Sequence, residues 1–306
     1  MMPSHQKYLI VLLGPTGVGK TDLSVSLSYQ FNAPIISADS RQFYSEMRIG
    51  TAAPSPDILE AAPHYFIGNK SIADRYSCGM FEMDVINLLN NLYKTHQSAL
   101  LVGGSGLYID AVCKGIDDFP TPDNELRKEL LAQLKNEGVE GLRTQLQLID
   151  PEYYSQVDLK NSQRIIKALE VCLQTGRTYT SFLTNSKKER DFTLIKIGLN
   201  RPREELYQRI NQRVDSMVKD GLLEEVKGLY GQKHLNALNT VGYKELFSYL
   251  DGLATFEDAV ALIKQNTRRY AKRQLTWWAR DNEIVWFHPE QVDLIVDHIK
   301  KVIKHG

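Results

Sequence analysis

The sequence predicts an α/β fold, a parallel sheet flanked by helices with a mainly helical domain inserted into it. Two observations carry this prediction. Short apolar runs alternate with helical segments through the first third of the chain, as in strands joined by helical crossovers. Between Pro120 and about Arg190 the pattern turns helical with no clear strand, and an apolar run resumes at Phe192. The expected division is a core domain over residues 1–120 and 190–306, with a helical C-terminal part, and a helical insertion over 121–189.

The first strand is Leu9–Leu13, within the apolar run Tyr8-Leu9-Ile10-Val11-Leu12-Leu13. It leads into Gly14-Pro15-Thr16-Gly17-Val18-Gly19-Lys20-Thr21, which matches G-x-x-x-x-G-K-[ST], and a helical pattern follows from Asp22 to Phe31. That strand, loop and helix order is the context a phosphate-binding loop requires, so the sheet is P-loop NTPase-like. The glycines let the backbone turn tightly and aim its N–H groups inward, where they and the helix N-terminus cradle phosphate oxygens. Lys20 would neutralise the terminal phosphate, and the Thr21 hydroxyl would hold Mg²⁺. The chain therefore handles a diphosphate or a triphosphate.

Pro34-Ile35-Ile36-Ser37-Ala38 reads as a second strand, ending in Asp39-Ser40-Arg41. Ala99-Leu100-Leu101-Val102 reads as a third, ending in Gly103-Gly104-Ser105-Gly106. Ligands of such sheets bind beyond the strand carboxyl ends, so all three ends point at one site. Asp39 has three readings: it orients Mg²⁺-bound water, it acts as a general base, or it caps the next element. The four small residues after the third strand are either an anion-binding nest or a plain turn. No Asp stands at that strand end, where an ordinary ATPase often places its metal-orienting carboxylate.

Ile116–Pro122 is a boundary linker by its prolines and turn formers. Asp123–Glu137 and Ser162–Thr175 read as helices of the insertion, and Phe192–Leu199 returns to the sheet. The helix starting near Pro202 carries Leu206, Ile210, Val214 and Met217 on one stripe. Its polar side holds Arg209 and Arg213, either a solvated face with Glu205 as partner or a guanidinium pair for a phosphate. The remainder is mostly helical, with turns at Gly231, Gly242 and Gly252. In the most basic segment, Arg268–Arg280, helical spacing puts Arg269, Arg273, Thr276 and Arg280 on one stripe, with Lys272 beside it. Ala271, Leu275 and Trp278 face the other way, so this is either an amphipathic surface helix or a cationic face for a nucleic-acid backbone.

The 306 residues are 42% hydrophobic, enough for one large core or two smaller ones. Lys+Arg and Asp+Glu both number 37, so any nucleic acid must be held by local patches rather than by a global field. Cys78, Cys113 and Cys172 are too far apart to form a metal pair, and His64, His234 and His288 are isolated. The only early apolar run is too short for a signal segment or a membrane span, so a cytoplasmic protein is expected.

With these segments in place, the chain resembles the tRNA dimethylallyltransferase (tRNA isopentenyltransferase) family of the bacterial type over nearly its full length. The resemblance rests on Gly14–Thr21, Ser37–Pro54, Val102–Val112, Asn161–Gly176, Val241–Gly252 and Ala271–Trp278. It implies transfer of a dimethylallyl group from dimethylallyl diphosphate to N6 of the adenosine 3′-adjacent to the anticodon. The tRNAs would be those reading codons that begin with U. Gly14–Thr21 would hold the donor diphosphate and Asp39 would be the catalytic base. Mg²⁺ at Thr21, Lys20 and Arg213 would stabilise the leaving group. Contacts to the tRNA anticodon stem-loop would fall on Asp39, Ser40, Arg41, Gln42, Ser105, Arg127 and Gln163, Arg164, Ile165, Ile166 and Lys167. Arg269, Arg273 and Arg280 would lie near RNA backbone.

The acceptor base would be extruded into a tunnel above the loop. Ser105 departs from the Thr common in the family, keeping the hydroxyl and losing the methyl. The chain ends at Gly306 without the zinc-finger extension of some eukaryotic relatives. No membrane partner and a monomeric state are expected. The rival readings are a P-loop kinase of a nucleotide or small metabolite, a prenyltransferase of free adenylate, and an idle nucleotide-gated RNA-binding protein.

Overall fold

A computed structural model describes residues 6–121, 123–184 and 187–305. The chain forms two compact units, Met1–Lys114 with Glu189–Gly306, and Gly115–Lys188. The first crossing thus falls at 114/115, six residues before the expected 120/121. The helix Gly106–Lys114 stops there, and Gly115 takes a left-handed φ of 80°. The stretch beyond it bonds within the second unit: Gln174 donates to the Thr121 carbonyl at 2.7 Å, and Lys188 pairs with Asp118 at 2.8 Å.

The first unit is built on a six-stranded sheet of β1 (Tyr8–Leu13), β2 (Ile35–Ser37), β3 (His64–Tyr65), β4 (Ser98–Gly103), β5 (Thr193–Leu199) and β6 (Val285–Phe287). Their order is β3-β2-β4-β1-β5-β6, and every neighbouring pair is parallel. β1 is buried along its whole length, with Leu12 opposite Val102 on one side and Ile197 on the other. A strand covered on both faces reads as a continuous apolar run, which is why β1 is plain in the sequence. β3 and β6, with two and three residues, are too short to show a period, and neither is predicted.

One sheet face packs Leu23 and Leu27, Leu206 and Ile210, and Ile295 and Ile299, from three helices. The other packs Phe81, Val85, Ile109, Val112 and Trp278. A further apolar cluster joins Val214, Val226, Leu238, Tyr243 and Ile263 in the helical C-terminal part. Each such fully buried Val, Leu or Ile stabilises by roughly 1.5–3 kcal/mol relative to exposure. Because all strands run one way, their carboxyl ends share one edge. There Gly103 lets β4 close on β2: a Cβ on it would stand 2.3 Å from the Ala38 carbonyl oxygen.

The second unit contains helices Asn124–Glu137, Val139–Ile149, Pro151–Gln156 and Ser162–Thr175 around Leu130, Leu142, Leu146, Ile165 and Leu169. Asp123 caps the first helix, accepting from the Glu125 and Leu126 N–H groups. No described helix is long and apolar enough to cross a membrane.

Candidate active site

The loop after β1 passes directly into the helix Lys20–Phe31. Its N-cap is Gly19 at φ 109°, with no side-chain cap. The first N–H groups of a helix lack intrahelical partners, so this end is open to an anion. Thr16 N–H donates to Gln274 Oε1 at 2.9 Å, and Val18 N–H donates to the Pro15 carbonyl at 3.3 Å. The remaining loop donors are those of Gly17, Gly19, Lys20 and Thr21. Pro15 has no N–H, and the Val18 side chain is buried in the core. These two residues shape the loop.

The Lys20 ammonium is folded back on its own loop, donating to the Gly14 carbonyl at 2.7 Å and the Pro15 carbonyl at 3.0 Å. Burial, then the neighbouring Arg213 charge, pull its pKa down to about 7, against support from Asp39. Arg209 Nε donates to the Gly17 carbonyl at 2.9 Å. Glu205 pairs with Arg201 rather than with Arg209, and Arg209 is exposed while Arg213 is half-buried. Burial weakens the Arg213 charge, Asp39 supports it and Arg209 opposes it.

Two chambers adjoin the loop. One of about 440 Å³ is bordered by Gly17, Gly19, Lys20, Thr21 and Arg209. The other, of about 230 Å³, is bordered by Ile210, Val214, Met217, Val241, Ile263 and Tyr270. Thr16, Asp39 and Arg213 line both. A cationic polar chamber and one that combines this apolar lining with Ser40, Arg41, Thr51 and Thr267 therefore meet at a carboxylate and a guanidinium. A recess of about 50 Å³ is lined by Lys20, Thr21, Ser37, Asp39 and Gln42; Thr21 and Asp39 offer it oxygens of the kind Mg²⁺ takes.

The residues after β2 are built into the chamber wall. Asp39 Oδ1 accepts the Arg41 N–H at 3.0 Å, so the capping role exists alongside its place in the chambers. Arg41 donates to the Asn236 and Ala237 carbonyls at 3.2 and 3.1 Å. Gln42 accepts from the Ser37 hydroxyl and donates to the Thr51 and Ala52 carbonyls. Ser105 is buried; its hydroxyl accepts the Ser40 N–H at 3.0 Å and donates to Ser40 Oγ at 3.2 Å. Glu225, unmarked in the sequence, takes the N–H groups of Arg48, Ile49 and Gly50 at 2.9, 2.7 and 2.9 Å, and the Tyr243 hydroxyl at 2.7 Å. It holds the turn that supplies Gly50 and Thr51 to the apolar chamber.

The basic segment is the end of a longer helix, Phe256–Trp278. Arg269, Lys272, Arg273 and Thr276 are exposed and Ala271 and Trp278 buried, as the spacing predicts. Arg280 lies two residues past the helix end, stacked 3.9 Å from the centre of the Trp277 ring and bonded to Asp110 at 3.4 Å. This helix carries two site residues that sequence reasoning misses, the buried Gln274 and the partly exposed Tyr270. Tyr270 borders the apolar chamber, and burial, then Asp39, push its phenol up to about 12. The signal was a polar Gln at a position that helical spacing assigns to the buried side.

In the second unit, Arg127 pairs with the buried Glu170 at 2.8 Å and reaches Gln163 at 3.4 Å. Gln163 and Arg164 are exposed, and the Lys167 ammonium lies 5.4 Å from the Phe119 ring centre. Ile165 and Ile166 are fully buried in that unit's core, so their expected contact with RNA is corrected: they pack the helix that presents their neighbours. His64 bonds the Ala62 carbonyl at 2.7 Å. His288 is not isolated, standing 3.6 Å from Glu205 and 3.9 Å from Glu290.

Residues 42–281 match the family described as IPP transferase. The chain is 56% identical over 294 residues to tRNA dimethylallyltransferase 1 of Phocaeicola vulgatus, covering 96% of this chain and 98% of the relative. It is 53% identical over 297 residues to tRNA dimethylallyltransferase of Christiangramia forsetii, covering 97% and 98%. Among solved structures it resembles the full-length tRNA isopentenylpyrophosphate transferase of Bacillus halodurans, with TM-score 0.72, 35% identity and 98% of each chain covered. It also resembles a eukaryotic dimethylallyltransferase acting on tRNA, with TM-score 0.78, 26% identity, and 92% of this chain and 74% of that one covered.

Proposed function

Since the chain belongs to the IPP transferase family, we propose that it prenylates tRNA, moving the dimethylallyl group of dimethylallyl diphosphate to N6 of the adenosine 3′-adjacent to the anticodon. The substrates are tRNAs reading codons that begin with U, and diphosphate is released. The observation that carries this reading is the meeting, at Asp39 and Arg213, of a cationic loop chamber and a chamber lined in part by Ile210, Val214, Met217, Val241 and Ile263. The loop N–H groups, Lys20, Arg209 and Arg213 bind the diphosphate. The extruded adenine comes to the junction, where Asp39 accepts a hydrogen bond from its amine.

N6 attacks the allylic carbon, and the bond from that carbon to the diphosphate oxygen breaks with its electrons on diphosphate. The N6 proton passes to the Asp39 carboxylate. Arg213 and Lys20 stabilise the charge that develops on the leaving oxygen. Mg²⁺, held through Thr21 with Asp39 nearby, would further neutralise the diphosphate. No phosphoryl group moves. Arg127, Gln163, Arg164 and Lys167 in the inserted unit, and Arg269 and Arg273 on the C-terminal helix, contact the tRNA anticodon stem-loop. The monomer is the working unit, in the cytoplasm.

Incubating the protein with labelled dimethylallyl diphosphate, Mg²⁺ and unmodified tRNA, without ATP, decides between this reading and its rivals. Label on the adenosine beside the anticodon supports it. ATP consumption with a metabolite, and no label on tRNA, identifies a kinase.

A further inference from the structure

The helix Phe256–Trp278 sets three side chains, one helical turn apart, against the three consecutive residues that follow β4. Tyr270 meets Ser105, Gln274 meets Gly104, and Trp277 packs on Gly106. Gln274 goes further. Its side chain is buried at 5% exposure; Oε1 accepts the Thr16 N–H of the phosphate loop at 2.9 Å, and Nε2 donates to the Gly104 carbonyl at 2.8 Å. One amide thus ties the loop after β1 to the strand end whose next residue, Ser105, bonds Ser40 beside Asp39.

Position 104 is cut to fit this amide, since a Cβ there would stand 2.3 Å from Gln274 Nε2. A buried amide with both ends satisfied fixes what it touches, because losing either partner leaves a polar group unpaired away from water.

We propose that Gln274 is a positioning residue for the prenyl diphosphate. By withdrawing the Thr16 N–H from the ligand and anchoring it, Gln274 sets the loop so that the Gly17, Gly19, Lys20 and Thr21 donors converge on the diphosphate. It also holds that loop in register with the wall that carries Asp39. The inference rests on the reading of Gly14–Thr21 as the diphosphate cradle. It assigns Gln274 no contact with the reacting atoms.

The experiment compares wild type with Gln274→Met, which keeps the volume and loses both bonds, Gln274→Glu, which keeps the acceptor for Thr16, and Gly104→Ala, which displaces the amide from the other side. Calorimetric binding of inorganic diphosphate with Mg²⁺ reads the loop without requiring prenyl chemistry. Wild-type transfer is run beside it, so failure of the transferase reading is seen separately as diphosphate binding without transfer. Gln274→Met and Gly104→Ala should each weaken diphosphate about tenfold and raise the KM for dimethylallyl diphosphate to match. The KM for tRNA should stay near wild type, and Gln274→Glu should recover part of the loss. Unchanged diphosphate affinity in folded Gln274→Met protein, or a lower melting temperature as its only defect, would overturn the proposal.

Discussion

The Lys20 ammonium lies 2.7 Å from the carbonyl oxygen of Gly14, within the loop it belongs to, rather than extended over it. A cation held there by carbonyl dipoles is stored close to its point of use. Burial, then Arg213, lower its pKa to about 7. An incoming diphosphate reverses the balance by placing negative charge beside it.

Donor binding should therefore take up a proton above about pH 7, because the free lysine is partly neutral there and the bound one is charged. Affinity is highest below the free pKa and falls as pH rises through it. Calorimetry of inorganic diphosphate at about pH 8, in two buffers of different ionisation heat, should show greater uptake in wild type than in Lys20→Arg, whose cation cannot titrate. Equal uptake in the two proteins would remove Lys20 from the pH dependence.

Thr21→Val keeps the shape of the side chain and removes its hydroxyl. Diphosphate binding by wild type should weaken strongly when Mg²⁺ is chelated, and the variant should bind weakly with or without the metal. A variant that keeps the full metal response would exclude the hydroxyl as ligand.

Glu225 accepts three backbone N–H groups and one phenol. Glu225→Ala leaves these donors unpaired at a wall of the apolar chamber. The expected cost is about 3 kcal/mol of stability, read as a lower urea midpoint. A loss under about 0.5 kcal/mol would mean that water replaces the carboxylate at no net cost.

Arg269, Arg273 and Arg280 are all exposed, and Arg280 is the one stacked on a Trp ring and paired with a carboxylate, those of Trp277 and Asp110. Replacing Arg269 and Arg273 with Ala should lower tRNA affinity and flatten the salt dependence by roughly one to two in log–log slope. Arg280→Ala should change the slope less. The opposite order would put the RNA backbone over Arg280.

What the sequence shows of this site follows the range of the interactions. The strand, phosphate loop and helix are contiguous, so glycine geometry and an apolar run suffice to place Gly14–Thr21 at the end of β1. Asp39 and Gly104 are also legible, because parallel strands bring their ends to one edge. Gln274 is not, since its partner Thr16 lies 258 positions away in the chain. Ile165 and Ile166 went the other way. They sit inside a motif the resemblance assigns to RNA contact, yet with Leu169 they form the apolar face of an amphipathic helix, and burial of that face decides their role. The pairing of Glu205 with Arg201 rather than Arg209 shows the same limit, because helical spacing permits either partner.

In the proposed reaction Asp39 takes the N6 proton where the two chambers meet. Single-turnover transfer by Asp39→Asn, measured beside its affinity for dimethylallyl diphosphate, tests this most directly. The predicted result is a rate lower by a factor of about 10²–10⁴ with donor affinity within about threefold of wild type. Transfer at the wild-type rate would exclude Asp39 as the base and leave it the capping role its bond to Arg41 already shows.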